Sequence, residues 1–314
     1  MALQNWPLVE KYPPSRGIRL PKYTLKELWR RKHCYLFIFP TMAVLFVFLY
    51  YPILSALVHA FTNWDGYNPA KYIGIDNFIK MYQDPDMLMA LRNMFIFSIG
   101  HLLCDLVTSV GIALLLFELG NRRINRAFQT VFVLPIMIPF IITAFLWKFI
   151  YDPQFGLGNT ILTSLGLRPQ LFLGDPNFAM LWLVFLGFPW VWGPGVLMQL
   201  SGLHGISDEI HDSARVDGVN WWQRVRKIDL PLIIPQIRVL AMLSMINSLQ
   251  TFLYQMVLTE GGPSNTTTVP GYIIYKQGIK FSHMGYACAV GVVVLIIIFI
   301  TTAILQRIGR NIDT

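Results

Sequence analysis

The chain has 314 residues, of which 54% are hydrophobic and 13% charged, with a net charge of +8 and a mean hydropathy of +0.51. Soluble domains carry roughly 25% charged residues, so half that share excludes an ordinary soluble enzyme and points to lipid as solvent. The cysteines, Cys34, Cys104 and Cys288, lie in or beside apolar runs, at spacings that build neither a disulfide framework nor a zinc site. Residues 1–34 form a polar, basic tail containing Pro7, Pro13, Pro14 and Pro21. Within it, residues 22–33 read either as a short basic helix on an anionic leaflet or as part of a disordered tail. The first apolar run starts too late and runs too long for a cleavable signal peptide.

Apolar segments at 35–60, 93–118, 128–151, 178–203, 234–258 and 285–305 are each near or above the roughly 20 residues that cross a bilayer. The expected fold is therefore an all-α membrane protein with six transmembrane helices over 35–306, followed by a short tail over 307–314. Most of these segments contain proline or glycine, which bundles tolerate because neighbouring helices re-satisfy freed backbone groups. Ala287 and Gly291, four apart in the last segment, permit close helix contact. The loops at 61–92, 152–177 and 259–284 are rich in turn residues and too short to be domains.

Orientation follows from the Lys and Arg residues. Eight lie in the N-terminal tail, three at Arg122, Arg123 and Arg126, four at Arg215, Arg224, Arg226 and Lys227, and two at Arg307 and Arg310. That is seventeen on one side against five on the other, at Lys71, Lys80, Arg168, Lys276 and Lys280. The positive-inside rule puts both termini and the 206–235 loop in the cytoplasm. The net charge thus follows topology and is no signal of nucleic-acid binding.

The 206–235 loop is longer than a connector needs to be. Ser207 and Asp208 offer an N-cap, and Asp208, Glu209 and Asp212 place negative charge in a first helical turn. Gly218 is placed to end that helix. Trp221, Trp222 and Val225 mark a second short helix, and Pro231 and Pro235 close the segment. Two short helices at a membrane surface suit docking into a soluble partner's groove; an interfacial amphipathic loop with no partner has the same pattern.

Inside the membrane, His101 and Asp105 stand one helical turn apart. They read either as a proton relay, which would make the chain a proton-coupled secondary transporter, or as a hydrogen-bonded pair facing the bundle interior. The fifth segment carries Asn247, Ser248, Gln250, Thr251 and Tyr254. Four of these follow helical spacing on one face, an uncharged polar stripe that suits a neutral polyhydroxy ligand or serves as glue between helices. Trp190 and Trp192 offer flat surfaces for sugar rings, or anchors at the membrane interface, the reading that fits Trp182 better. No metal-binding, phosphate-loop or dinucleotide motif occurs. No catalytic residue and no metal are expected, and the energy for active transport must come from an ion gradient or another subunit.

At this point the loop resembles a known pattern. Asp212-Ser213-Ala214, then Asp217-Gly218, then Ile228-Asp229-Leu230-Pro231 is similar to the EAA loop of permease subunits from binding-protein-dependent ABC importers, with Asp212 for the usual Glu, Ser213 for the first Ala and Val225 for the usual Phe. Gly261-Gly262-Pro263 and Gly285-Tyr286-Ala287 resemble the carbohydrate branch, similar to maltose and glycerol-phosphate permeases. The resemblance implies a multi-pass subunit of a bacterial or archaeal cytoplasmic membrane, importing a saccharide of oligosaccharide size. It implies coupling through Asp212, Ser213, Ala214, Asp217, Gly218 and Pro231 to a cytoplasmic ATPase dimer that alone binds ATP and Mg. It also implies a second homologous permease as heterodimer partner, an extracytoplasmic solute-binding protein, and Ser248, Gln250 and Thr251 as sugar contacts.

Overall fold

The computed structural model describes residues 32–119 and 122–310. The predicted basic helix up to residue 31, with the rest of the N-terminal tail before it, and the last four residues of the C-terminal tail lie outside the described residues. Apart from turns and one isolated bridge between Thr62 and Tyr72, the described chain is helical, as an all-α membrane protein requires.

The chain divides after Leu54. Nearly all of the described part of the first unit belongs to one helix, α1 (Tyr35–His59), which runs on past Leu54 and is long and apolar enough to cross a membrane. The second unit carries every other element. The first of these are α2 (Asp76–Gln83) and α3 (Pro85–Glu118). α3 begins eight residues before the apolar segment that predicts it, because Asp84 caps it by accepting the Asp86 N–H at 2.9 Å and Pro85 fills the first turn. Its 34 residues run about 50 Å at 1.5 Å per residue, so it overshoots the roughly 30 Å hydrocarbon core.

The third and fourth predicted spans are not continuous helices. α4 (Arg122–Val133) and α5 (Phe140–Ile150) belong to a pair bent by 93° at a break, where Pro135 and Pro139 remove backbone donors. After α6 (Leu157–Ser164) the fourth segment splits into α7 (Ala179–Phe185) and α8 (Gly193–His204). Between those two, Gly187 and Trp190 take positive φ of 89° and 55°. The helices of the 206–235 loop are α9 (Asp208–Val216) and α10 (Trp221–Arg224). α11 (Ile234–Gln250), α12 (Pro270–Tyr275) and α13 (Met284–Arg310) complete the unit. Among the described residues four helices are long and apolar enough to cross a membrane, or five when the bent pair counts as one span.

α3 is the central post, packed against α8 and α11, with α13 packed against α11 and sharing an apolar cluster with α3 through Met87, Ala90, Val290 and Val294. Gly195 marks how closely the three helices meet. A Cβ there would lie 2.7 Å from the Trp192 ring, 2.8 Å from Ser109 Oγ and 3.1 Å from Leu240. One apolar cluster joins Ala113 and Leu116 of α3, Val196, Leu200 and Leu203 of α8, and Val225 and Ile233 of the loop. A second joins Met94 of α3 to Met245 and Leu249 of α11. Outside the helices, the carboxylate of Asp65 accepts the backbone N–H groups of Asn68 and Tyr67, which hold its pKa down at about 2.

Candidate functional site

α9 begins after Ser207, whose backbone is extended as an N-cap requires although its side chain makes no capping bond. Asp208 and Glu209 occupy the first turn, and Asp212 lies further along, paired with Arg215 at 3.3 Å on the exposed face. Ser213 is exposed and donates to the Ile210 carbonyl, whereas Ala214 is 5% exposed and faces inward. The helix ends in a Schellman motif. Gly218 sits at φ +69°, its N–H donates to Arg215 O at 3.1 Å, and Val219 N–H donates to Ala214 O at 3.0 Å. Asp217 is the C-cap.

The chain then restarts on a capping box that the sequence reading passed over. Asn220 accepts the Gln223 N–H at 2.9 Å, and the Gln223 side chain accepts the Asn220 N–H at 3.1 Å. The Asn-x-x-Gln spacing is a legible signal for this motif. α10 runs on through Val225–Asp229 to Leu230–Leu232, where Pro231 stands in the first turn.

A buried ion cluster holds these pieces together. Asp229 is 0% exposed. One of its oxygens meets His211 Nε2 of α9 at 3.0 Å, and the other accepts Arg224 Nε of α10 at 3.0 Å. Arg224 also bonds Glu118, the last residue of α3. Facing away from this cluster, Val216 and Trp222 are 88% and 74% exposed, so the loop offers apolar side chains from a backbone that its own interior fixes.

The second feature is a cavity of about 230 Å³ lined by α3, α11 and the start of α8. Phe97, His101 and Asp105 come from α3, Trp192 from the residue before α8, and Ser244, Asn247, Ser248, Thr251 and Tyr254 from α11 and the turn beyond it. Of the six residues predicted to contact ligand, Asn247, Ser248, Thr251 and Tyr254 lie here; Trp190 and Gln250 do not line the cavity. Trp190 is spent on structure, donating Nε1–H to Val184 O while its own carbonyl accepts from Thr108. Gln250 folds back onto the Ile246 carbonyl. Its neighbour Thr251 uses its hydroxyl on the Asn247 carbonyl, where the helix stops and the regular donor is lost.

The polar face is therefore rotated from the predicted stripe. It runs Ser244, Asn247, Ser248, Thr251, which is equally good helical spacing and was legible had the count begun three residues earlier. Tyr254 packs edge-on against Phe140 of α5, with ring centroids 4.9 Å apart. Asp105 accepts a hydrogen bond from Ser244 Oγ at 2.6 Å, so its partner is across the helix pair and not His101. His101 instead lays its ring on Phe97 at 4.8 Å. The described residues hold no cluster of His, Cys, Asp and Glu that could bind a metal.

Comparison with known proteins agrees with this architecture. The family described as binding-protein-dependent transport system inner membrane component matches residues 106–314. The chain is 30% identical over 266 residues to the probable ABC transporter permease protein YurN of Bacillus subtilis, covering 84% of this chain and 91% of that one. It is 28% identical over 282 residues to the diacetylchitobiose uptake system permease protein NgcF of Streptomyces coelicolor, covering 86% and 80%. The crystal structure of a bacterial ABC transporter involved in the import of the acidic polysaccharide alginate aligns with a TM-score of 0.80 at 26% identity, covering 92% of this chain and 99% of that one. On its sequence and its fold, this chain belongs to the inner membrane components of binding-protein-dependent transport systems, as a transport subunit and not an enzyme.

Proposed function

We propose that this chain is the permease through which an oligosaccharide, delivered by an extracytoplasmic binding protein, enters the cell under ATP drive. The observation that carries the reading is the convergence of Asn247, Ser248, Thr251 and Tyr254 with Trp192 on one cavity inside the helix bundle. Hydroxyls and an amide beside an aromatic face suit sugar hydroxyls and the apolar side of a sugar ring. Relatives named for diacetylchitobiose and for alginate favour the same class of cargo. At about 230 Å³ the cavity falls below the roughly 300 Å³ at which drug-sized pockets begin. It suits a sugar ring more than a chain, so a longer saccharide extends toward the second, homologous permease of a heterodimer.

In this reading six membrane passages are made by α1, α3, the α4–α5 pair, the α7–α8 pair, α11 and α13, with both termini and the α9–α10 loop in the cytoplasm. Asp212, Ser213, Ala214, Asp217, Gly218 and Pro231 build the face and frame that dock in a dimer of ATPases. ATP and Mg bind there and not to this chain. The test is reconstitution of the complete transporter, with its partner permease, ATPases and binding protein, in proteoliposomes. Asn247→Ala and Thr251→Ala are expected to lower uptake at subsaturating loaded binding protein by about tenfold, the effect of losing roughly 1.4 kcal/mol of contact, while the complex still assembles. Unchanged uptake kinetics in both variants would assign these side chains to helix packing.

A further inference from the structure

The central cavity contains one carboxyl group that a neutral-sugar site does not need. We propose that Asp105 makes the cavity select non-acidic saccharides and turn away uronates, an inference that rests on the saccharide reading of that cavity. Asp105 is the sole carboxylate among the residues lining it, and none of them is Lys or Arg. Ser244 Oγ fixes one carboxylate oxygen from the opposite helix at 2.6 Å. The other has no hydrogen-bond partner among the described residues and is available to a sugar hydroxyl, which donates. His101, one turn away on α3, also lines the cavity, its Nε2 buried without a hydrogen-bond partner. A sugar carboxylate entering this space meets the Asp105 carboxylate in a low-dielectric setting, with no Lys or Arg among the lining residues to offset the repulsion between them. The alginate importer, similar in fold and 26% identical, is therefore no guide to the charge of this chain's cargo.

The experiment uses the assembled transporter in lipid nanodiscs without its binding protein, so that the cavity alone chooses. Titration calorimetry compares matched β-1,4- or α-1,4-linked trisaccharides of glucose, mannose and galactose with the corresponding triuronates, each pair differing only by hydroxymethyl against carboxylate at C6. At least one neutral member is expected to bind, with its triuronate at least tenfold weaker. Asp105→Asn, which can still accept from Ser244, should shrink that ratio at least fivefold, whereas Ser244→Ala, which leaves the carboxylate in place, should keep it. A triuronate that binds the unmodified transporter as well as its neutral counterpart overturns the inference and leaves the saccharide reading intact. So does a ratio that Asp105→Asn does not move. Binding of no member of any pair overturns the saccharide reading and the inference with it. Should Asp105→Asn fail to assemble, the ratio in the unmodified transporter decides alone.

Discussion

Gly218 holds the backbone angle that ends α9 and turns the loop toward α10. Its φ of +69° is open to glycine, tolerable for asparagine and poor for other residues. A Cβ at this position meets nothing within 4 Å, so a substitution is penalised by conformation and not by collision. Alanine should cost the loop about 1 kcal/mol, and asparagine less. Proline is of another order, because it forbids positive φ and deletes the N–H that donates to Arg215 O. The expected ranking for ATP hydrolysis stimulated by loaded binding protein is Gly, Asn, Ala, then Pro, with Gly218→Pro inserted in the membrane but uncoupled. Stimulated hydrolysis at the normal rate in Gly218→Pro would remove the loop from the coupling path. This residue was legible because a glycine after an acidic-capped helix has one common use. Ser213 and Ala214 were legible as neighbours in a pattern, but that one is exposed and the other buried needed the three-dimensional arrangement.

Among the elements, the loop owes its stiffness to side chains that no local spacing connects. His211 and Asp229 are 18 residues apart, and Arg224 and Glu118 are 106 apart. Each reads singly as an ordinary surface charge of a cytoplasmic loop, and together they enclose a carboxylate with no exposure. Periodicity found α9, α11 and α13, whose apolar runs are long or whose caps are strong. It could not find the 93° bend between α4 and α5 or the turn between α7 and α8, because proline and glycine are common in membrane helices whether or not they break them. Arg224 tests the cluster. Arg224→Ala leaves Asp229 buried with His211 alone, a change worth about 3 kcal/mol when a buried partner is lost. Arg224→Lys keeps the charge but cannot spread two donors between Asp229 and Glu118. Both variants are expected to raise the ATP hydrolysed per sugar imported, with Ala the more severe. Glu118→Gln, at the exposed end of the cluster, should change that ratio little. A ratio equal to the parent's in Arg224→Ala would mean that the loop transmits force without this cluster.

On the scale of the molecule, α3 joins the two sites. Glu118 at its end bonds Arg224 of the loop, and Asp105 thirteen residues earlier bonds Ser244 of α11 at the cavity. At 1.5 Å per residue this is about 20 Å of helix, a rod between the proposed docking loop and the polar face of α11 that lines the cavity. Rigid-body motion of packed elements is the usual way such a rod works, and a hinge within it would absorb the stroke. Gly111 lies midway, and a Cβ there would touch nothing within 4 Å. The two substitutions at this position therefore act on α3 with opposite sign. Gly111→Ala should stiffen the helix, stabilising it by about 0.4–1 kcal/mol. Gly111→Pro removes a main-chain hydrogen bond and kinks it, at about 3 kcal/mol. With the transporter reconstituted, Gly111→Ala is expected to hold or improve sugar imported per ATP. Gly111→Pro should keep the ATPases docked and hydrolysing while uptake falls by at least tenfold. If docking and hydrolysis disappear together with uptake in Gly111→Pro, the kink has disturbed the loop itself. If uptake survives the kink, the stroke reaches the cavity by another helix, and α11, continuous with the loop through Leu230–Leu232, becomes the carrier.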